Sequence, residues 1–292
     1  MSLLDKQKMN KNISNRLAIN FGFRTLFLAA TWFALFVLLV LFIRVFNQGF
    51  QYIDLHFFTN FASRNPENAG IYAAIMGTIW LMAVTAPVSI ILGVGTAIYL
   101  EQYAKKNKFT ELIKINIANL AGVPSIVFGL LGLTVFVRLM EMGRSVLAGG
   151  LTMSLLILPI IVVAAQEALR SVPTPTQEAS YAMGASKWQT VRRVLLPAAV
   201  PGMLTGSILA LSRAIGETAP LIMIGALTFI AFVPGSVWSG FTVMPIQIFN
   251  WTGRPQEDFQ NVAAAGIIVL LAMLILMNLT AVLIRNKLSK RY

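Results

Sequence analysis

The sequence predicts an all-α integral membrane protein with six spanning helices and both termini in the cytoplasm. Three observations lead there: the composition, the number and length of the apolar runs, and the placement of the basic residues. Of 292 residues, 57% are hydrophobic and 12% charged, which leaves too little polar surface to cover a water-soluble domain of that size. A formal net charge of +12 would point to nucleic acid if the basic residues clustered on a soluble surface. Here they sit between long apolar runs.

A span needs roughly 20 apolar residues, because the hydrocarbon core is about 30 Å thick and a helix rises about 1.5 Å per residue. Six runs qualify, near residues 25–46, 71–100, 113–137, 145–168, 200–230 and 262–284. The first is too long for a signal-peptide core and no small-x-small cleavage site follows it, so it is expected to be retained. Pro124 and Pro159 fall within the third and fourth runs and are expected to interrupt them without abolishing them, since neighbouring helices satisfy freed carbonyls. The fifth is the least regular: it holds Arg213 and Glu217, then continues uncharged into a Pro/Gly-containing stretch ending at Gly253.

Orientation follows from the basic residues, which are retained on the cytoplasmic side. One set of connections carries Lys6, Lys8, Lys11, Arg16, Arg24, Lys105, Lys106, Lys108, Lys114, Arg170, Lys187, Arg192, Arg193, Arg285, Lys287, Lys290 and Arg291. The alternate set carries only Arg64, Arg138, Arg144 and Arg254. The chain is therefore expected to consist of a cytoplasmic segment 1–24, a single transmembrane domain 25–284 and a cytoplasmic tail 285–292, with a long cytoplasmic connection at 169–197.

Several chemistries are excluded. There are no cysteines and one histidine, His56, in the first external connection, so neither a disulfide framework nor a metal site is expected. No Gly-rich loop ending in Gly-Lys-Ser/Thr is present to cradle phosphates. Gly93 and Gly95, inside a spanning run, suit close helix contact instead. Nor can a nucleophile, base and orienting acid be assembled, so the chain is expected to perform no covalent chemistry and to hold no cofactor.

The 169–197 connection reads as two short helices with a sharp turn. Thr174 is expected to cap the first, with Pro175 opening it and Gln177 completing a capping box, and the helix runs to about Met183. Gly184 supplies a left-handed stop, and Ser186, with Gln189 three residues on, caps the second helix, which ends before Pro197. Ala179, Tyr181, Ala182 and Met183 form a compact apolar surface. From local pattern it either receives a partner or folds back onto the protein's own helix ends.

The order Glu178-Ala179-Ser180, three residues, Gly184, nine residues, Val194-Leu195-Leu196-Pro197 resembles the EAA loop of ABC importer permeases. Ser180 stands where the pattern has a second Ala, and Val194 where it has Ile. The resemblance implies the type I importer permease fold and a coupling helix that docks on a separate ATPase subunit. It assigns Glu178, Ala179, Gly184, Leu196 and Pro197 to ATPase coupling, with ATP and Mg bound by that partner.

Arg213 and Glu217 are the only ionisable residues well inside a predicted span, and each costs about 2.5–3.5 kcal/mol at a helix centre on insertion scales. Four residues apart, they share a helix face and can pair. As a packing device the pair would do no more. As part of a pathway, Arg213 offers a planar fork of donors to an oxyanion, Glu217 holds that fork in the empty state, and Thr218 adds a hydroxyl. Gly216 leaves room for a helix or a solute. Arg170 either meets the anion at the exit or anchors its helix end by snorkelling.

The string Ser212-Arg213-Ala214-Ile215-Gly216-Glu217-Thr218-Ala219-Pro220 resembles the signature of phosphate-specific permeases of the PstA family. Phe57-Phe58-Thr59-Asn60, Ala74-Ile75-Met76-Gly77-Thr78 and Gly122-Val123-Pro124-Ser125-Ile126-Val127-Phe128-Gly129 agree with it. The resemblance implies inorganic phosphate as substrate, a bacterial or archaeal cytoplasmic (inner) membrane, a PstC-like sister permease, two PstB-like ATPase subunits and a PstS-like phosphate-binding protein. Residue chemistry alone supports an anion, and leaves open sulfate or molybdate, a secondary anion transporter, and a non-transporting assembly or sensory protein. Finally, Met244, Pro245, Ile246, Ile248, Phe249 and Trp251 form an apolar cluster in the last external connection. It is expected to lie at the interface as an anchor or docking lid, or to dip in as a re-entrant piece.

Overall fold

The computed structural model describes residues 4–226 and 230–289, and all regular elements among them are helical. Lys290 and Arg291 of the expected tail lie outside the described residues. The first spanning helix, α1, runs Leu4–Gly49, extending well before the apolar run because nothing between residues 4 and 25 breaks it. A short helix α2 (Leu55–Thr59) follows, with Asp54 accepting from the Phe57 N–H at 2.7 Å as its cap. The second span, α3 (Tyr72–Ile98), continues into a π-helical segment at Tyr99–Tyr103.

The third run is not one straight helix. It forms α4 (Lys108–Leu120) and α5 (Ser125–Gly132), bent by 102° where they meet. Pro124 is the cause: it lacks an N–H to donate and disfavours helical backbone at the residue before it. α5 continues as a second π-helical segment, Leu133–Leu139. Pro159, by contrast, sits inside an unbroken α6 (Val146–Arg170), the most enclosed span, in which 67% of the most apolar stretch is buried. Among the described residues five helices are thus long and apolar enough to cross a membrane, and the bent α4–α5 pair makes a sixth if it is counted as one span.

α6 is central because its neighbours can approach its backbone. Thr85 Oγ1 on α3 donates to the Gly150 carbonyl at 3.2 Å, and Ser154 Oγ donates back to the Thr85 carbonyl at 3.3 Å. After α6 come α7 (Thr174–Ala182), α8 (Lys187–Thr190), a third π segment at Val191–Leu195, and α9 (Leu196–Gly216). Gly206 brings α9 against Ala164 of α6 with no room for a Cβ.

The fifth run also differs from its expectation. Helix α9 stops at Gly216, Glu217 is extended (φ −76°, ψ 130°), and a short α10 (Ala219–Ile224) ends at Gly225 in the left-handed region (φ 80°). Pro220, which has no N–H to give the Gly216 carbonyl, prevents a continuous helix here. Residues 227–229 of this run lie outside the described residues.

In the last external connection, residues Met244–Thr252 form α11, which is buried between α3 and the final span α12 (Asp258–Ser289), so of the two expectations an enclosed piece fits and an exposed surface anchor does not. Met244 and Trp251 are fully buried, and Phe249 alone of the aromatic cluster is exposed. Two of the resembling strings seat this helix. Gly77 lies under the Thr242 carbonyl, Thr78 Oγ1 accepts from the Met244 N–H at 3.1 Å, and Phe57 stacks near Trp251 with ring centroids 5.9 Å apart.

Candidate functional site

The break after α9 draws together two strings far apart in the sequence. A Cβ on Gly129 of α5 would lie 2.7 Å from the Pro220 Cα, so the 122–129 string and the 212–220 string meet backbone to backbone. The bend at Pro124 directs α5 onto α10, which follows the end of α9 after Glu217 and Thr218.

At that end Arg213 Nε donates to Glu217 Oε1 at 3.1 Å, with 49% of the arginine side chain and 18% of the glutamate side chain exposed. The expected pair therefore forms, although Glu217 has already left the helix. The two Nη groups of Arg213 have no protein partner among the described residues. Thr218 is half-buried at the head of α10 and caps nothing. A Cβ on Gly216 would meet nothing within 4 Å. The geometry is a guanidinium held by one bond, beside open space, at a helix end whose carbonyls favour positive charge.

Sequence reading missed Asn278. It lies on α12, where its Oδ1 is in hydrogen-bonding reach of Ser212 Oγ, next to Arg213. A lone amide in an apolar run was the available signal, since a polar side chain there needs a partner.

The structure places Arg170 apart from this pair. Its Nε and Nη2 grip the two oxygens of Glu101 at 3.2 and 2.8 Å, and its Nη1 reaches Glu167 at 2.9 Å. Lys114 Nζ and Gln166 Nε2 also donate to Glu101, at 2.8 and 3.0 Å. Glu101 thus collects four donors from α4 and α6 while its side chain is only 12% exposed. Arg170 is thus tied to Glu101 and Glu167 while 47% of its side chain stays exposed.

The 171–195 segment projects from this end of the bundle. Thr174 does not cap α7: the cap position is Pro173, without a side-chain bond, and Thr174 is the first helical residue. Pro175 then occupies the second helical position, and Gln177 bonds sideways to Gln102 at 3.1 Å instead of back to the cap. The other end is as expected. Gly184 is left-handed (φ 79°), the Gly184 N–H reaches the Tyr181 carbonyl at 2.9 Å, and the Ala185 N–H reaches the Ser180 carbonyl at 3.2 Å. These two bonds form a Schellman stop. Ser186 and Gln189 form the expected capping box, at 3.3 and 2.8 Å.

Helix α7 buries no residue: Glu178, Ala179 and Ala182 are exposed, and so are Met183 (87%), Tyr181 (39%) and, on α8, Trp188 (57%). The apolar surface does not fold back. Ser180, the departure from the EAA pattern, bonds Thr190 through the two hydroxyl oxygens at 2.9 Å and so fastens α7 to α8. Leu195 is the buried anchor of the 194–197 string, at 1% exposure, while Leu196 and Pro197 are partly buried at the start of α9.

Comparison with known proteins agrees with this architecture. Residues 89–292 match the family described as binding-protein-dependent transport system inner membrane component. The probable ABC transporter permease protein YqgI of Bacillus subtilis is 33% identical, over 94% of this chain and 95% of its own. The phosphate transport system permease protein PstA of Yersinia pestis is 31% identical, over 94% and 91%, and PstA 1 of Mycobacterium tuberculosis is 34% identical, over 77% and 74%. Among solved structures, a chain of a bacterial alginate ABC transporter superposes with a TM-score of 0.63 at 16% identity, covering 89% of this chain and 91% of that one. A chain of the inward-facing MetNI methionine ABC transporter gives 0.60 at 20%, covering 75% and 97%.

Proposed function

The chain belongs to the family of inner membrane components of binding-protein-dependent transport systems, and from that premise we propose that it is a permease subunit of an ATP-driven importer of inorganic phosphate. The observation that carries the anion reading is Arg213, a guanidinium with one bond and free Nη donors beside open space in the last turn of a spanning helix. The phosphate reading draws on the relatives named PstA.

In this reading the α7–α8 end faces the cytoplasm, in keeping with the excess of Lys and Arg there. Helix α7, from Thr174 to Ala182, presents Glu178, Ala179 and the exposed Met183 to an ATPase subunit that supplies ATP hydrolysis and Mg. A sister permease completes the pathway, and an external binding protein delivers phosphate. ATP-driven closure of the ATPases moves α7, and the spanning helices reorient so that phosphate passes Arg213. The anion replaces Glu217 at the guanidinium, exchanging one charge-assisted bond for another. Thr218 and the open flank at Gly216 line the same place. Glu217 keeps the empty site from being strongly positive.

The test is labelled phosphate uptake into vesicles holding this chain with its sister permease and ATPase, with binding protein outside and with or without enclosed ATP. Uptake that requires ATP and is not displaced by excess sulfate is the expected result. Uptake without ATP would overturn the importer reading in favour of a gradient-driven carrier, and ATP-dependent uptake of sulfate or molybdate instead would overturn phosphate alone.

A further inference from the structure

The π-helical end of α3 touches the α7–α8 unit and its root at three successive residues. Glu101 receives both the Nε and Nη2 of Arg170, the last residue of α6 before that unit begins. Gln102 accepts from Gln177 of α7 at 3.1 Å. Tyr103 lies under Lys187 of α8, whose Nζ is 5.2 Å from the ring centroid. A π turn holds one more residue than the α turn it replaces, and such turns recur at functional sites. Here the turn directs three neighbouring side chains to three different partners.

Glu101 extends the connection beyond α3. Its carboxylate also binds Lys114 of α4 and Gln166 of α6, and α4 leads through the Pro124 bend to α5, which abuts α10 at Gly129. A continuous run of contacts therefore joins the exposed α7 to the end of α9 that carries Arg213. The hydrogen bonds to Glu101 in this run are charge-assisted and partly enclosed, conditions under which they are strong and geometrically specific. No other charged group among the described residues links the α7–α8 root to both α3 and α4.

We infer that the π segment Tyr99–Tyr103, with Glu101 at its centre, is the element through which movement of α7 is passed to α3 and α4. Glu101 is a positioning residue: it touches no transported solute and acts through Arg170 and Lys114. The inference rests on the importer reading above.

The test is the ratio of phosphate transported to ATP hydrolysed by the complete reconstituted complex, measured for the unaltered chain, Glu101→Gln and Gln102→Ala, with copurification of the ATPase as the assembly control. In Glu101→Gln the ratio is expected to fall by about fivefold or more, the lower end of typical coupling between sites, while the ATPase still copurifies and Glu101→Asp restores part of the ratio. Gln102→Ala removes one uncharged bond and buries no orphan charge, so it tests the same element in a chain that folds. Its ratio is expected to fall by a smaller factor. An unchanged ratio in both variants, with the unaltered complex coupled to ATP, would overturn the inference and leave the importer reading intact. Loss of assembly in Glu101→Gln with an unchanged ratio in Gln102→Ala would also overturn it, by making Glu101 purely structural. An unaltered complex that moves phosphate without consuming ATP would overturn both.

Discussion

The Arg213–Glu217 pair and the Glu101 cluster are both charged groups in a mostly apolar protein, yet they are satisfied very differently. Glu101 accepts from four donors on two helices and its side chain is 12% exposed. Arg213 makes one bond and is 49% exposed, with vacant space at the neighbouring Gly216. A saturated carboxylate can hold helices but has no capacity left for a solute. An arginine with free donors does little to fix packing and can accept an oxyanion. In the proposed mechanism the saturated group is the lever and the unsaturated one the site.

Four variants test that contrast, in order of decreasing effect. Arg213→Gln is expected to lower ATP-dependent uptake by roughly a hundredfold, equivalent to about 3 kcal/mol of lost charge-assisted bonding, with unchanged membrane yield and ATPase copurification. Arg170→Lys keeps the charge but loses the two-pronged grip on Glu101. It is expected to slow maximal uptake by about fivefold, at the low end of site coupling, while half-saturation by loaded binding protein stays the same. A shift in half-saturation would return Arg170 to the solute pathway. Gly184→Ala forces a side chain into left-handed backbone at about 1–2 kcal/mol, and reduced retention of the ATPase on washing would register the frayed α7. Ser180→Ala restores the residue of the EAA pattern and removes only the bond to Thr190, worth about 0.5–1.5 kcal/mol, so uptake is expected to change by less than about twofold.

The apolar runs and their order were legible because hydrocarbon thickness imposes length on sequence directly. The turn at Gly184 and the box at Ser186 and Gln189 were legible for a similar reason, since every partner lies within a few residues. What failed was whatever depended on distant neighbours. Thr174 looked like a cap until Gln177 found Gln102, 75 positions away. The break before Pro220 packs against Gly129 on another helix, and the choice between a surface and an enclosed α11 rested on Gly77, Thr78 and Phe57, which receive it. Glu101 attracted no notice because, apart from Lys114, its donors lie 65 and 69 positions away. Arg170, for which an exit role and a helix-end anchor were both open, is one of them.

Helix α1 obeys a different rule from the rest of the chain. Between residues 16 and 49 only Val45 and Gly49 are not exposed, so within this chain few of its side chains are enclosed, although the helix packs along α12. Its constraint is compositional: one apolar residue exchanged for another leaves this subunit's fold unchanged, whereas a charge at mid-span costs about 2.5–3.5 kcal/mol wherever it falls. Positional constraint is sharpest at its last residue, Gly49, where a Cβ would come within 2.5 Å of the Ala264 backbone on α12. A mutational scan along α1 would therefore read as a nearly flat hydrophobicity profile that becomes residue-specific toward Val45 and Gly49.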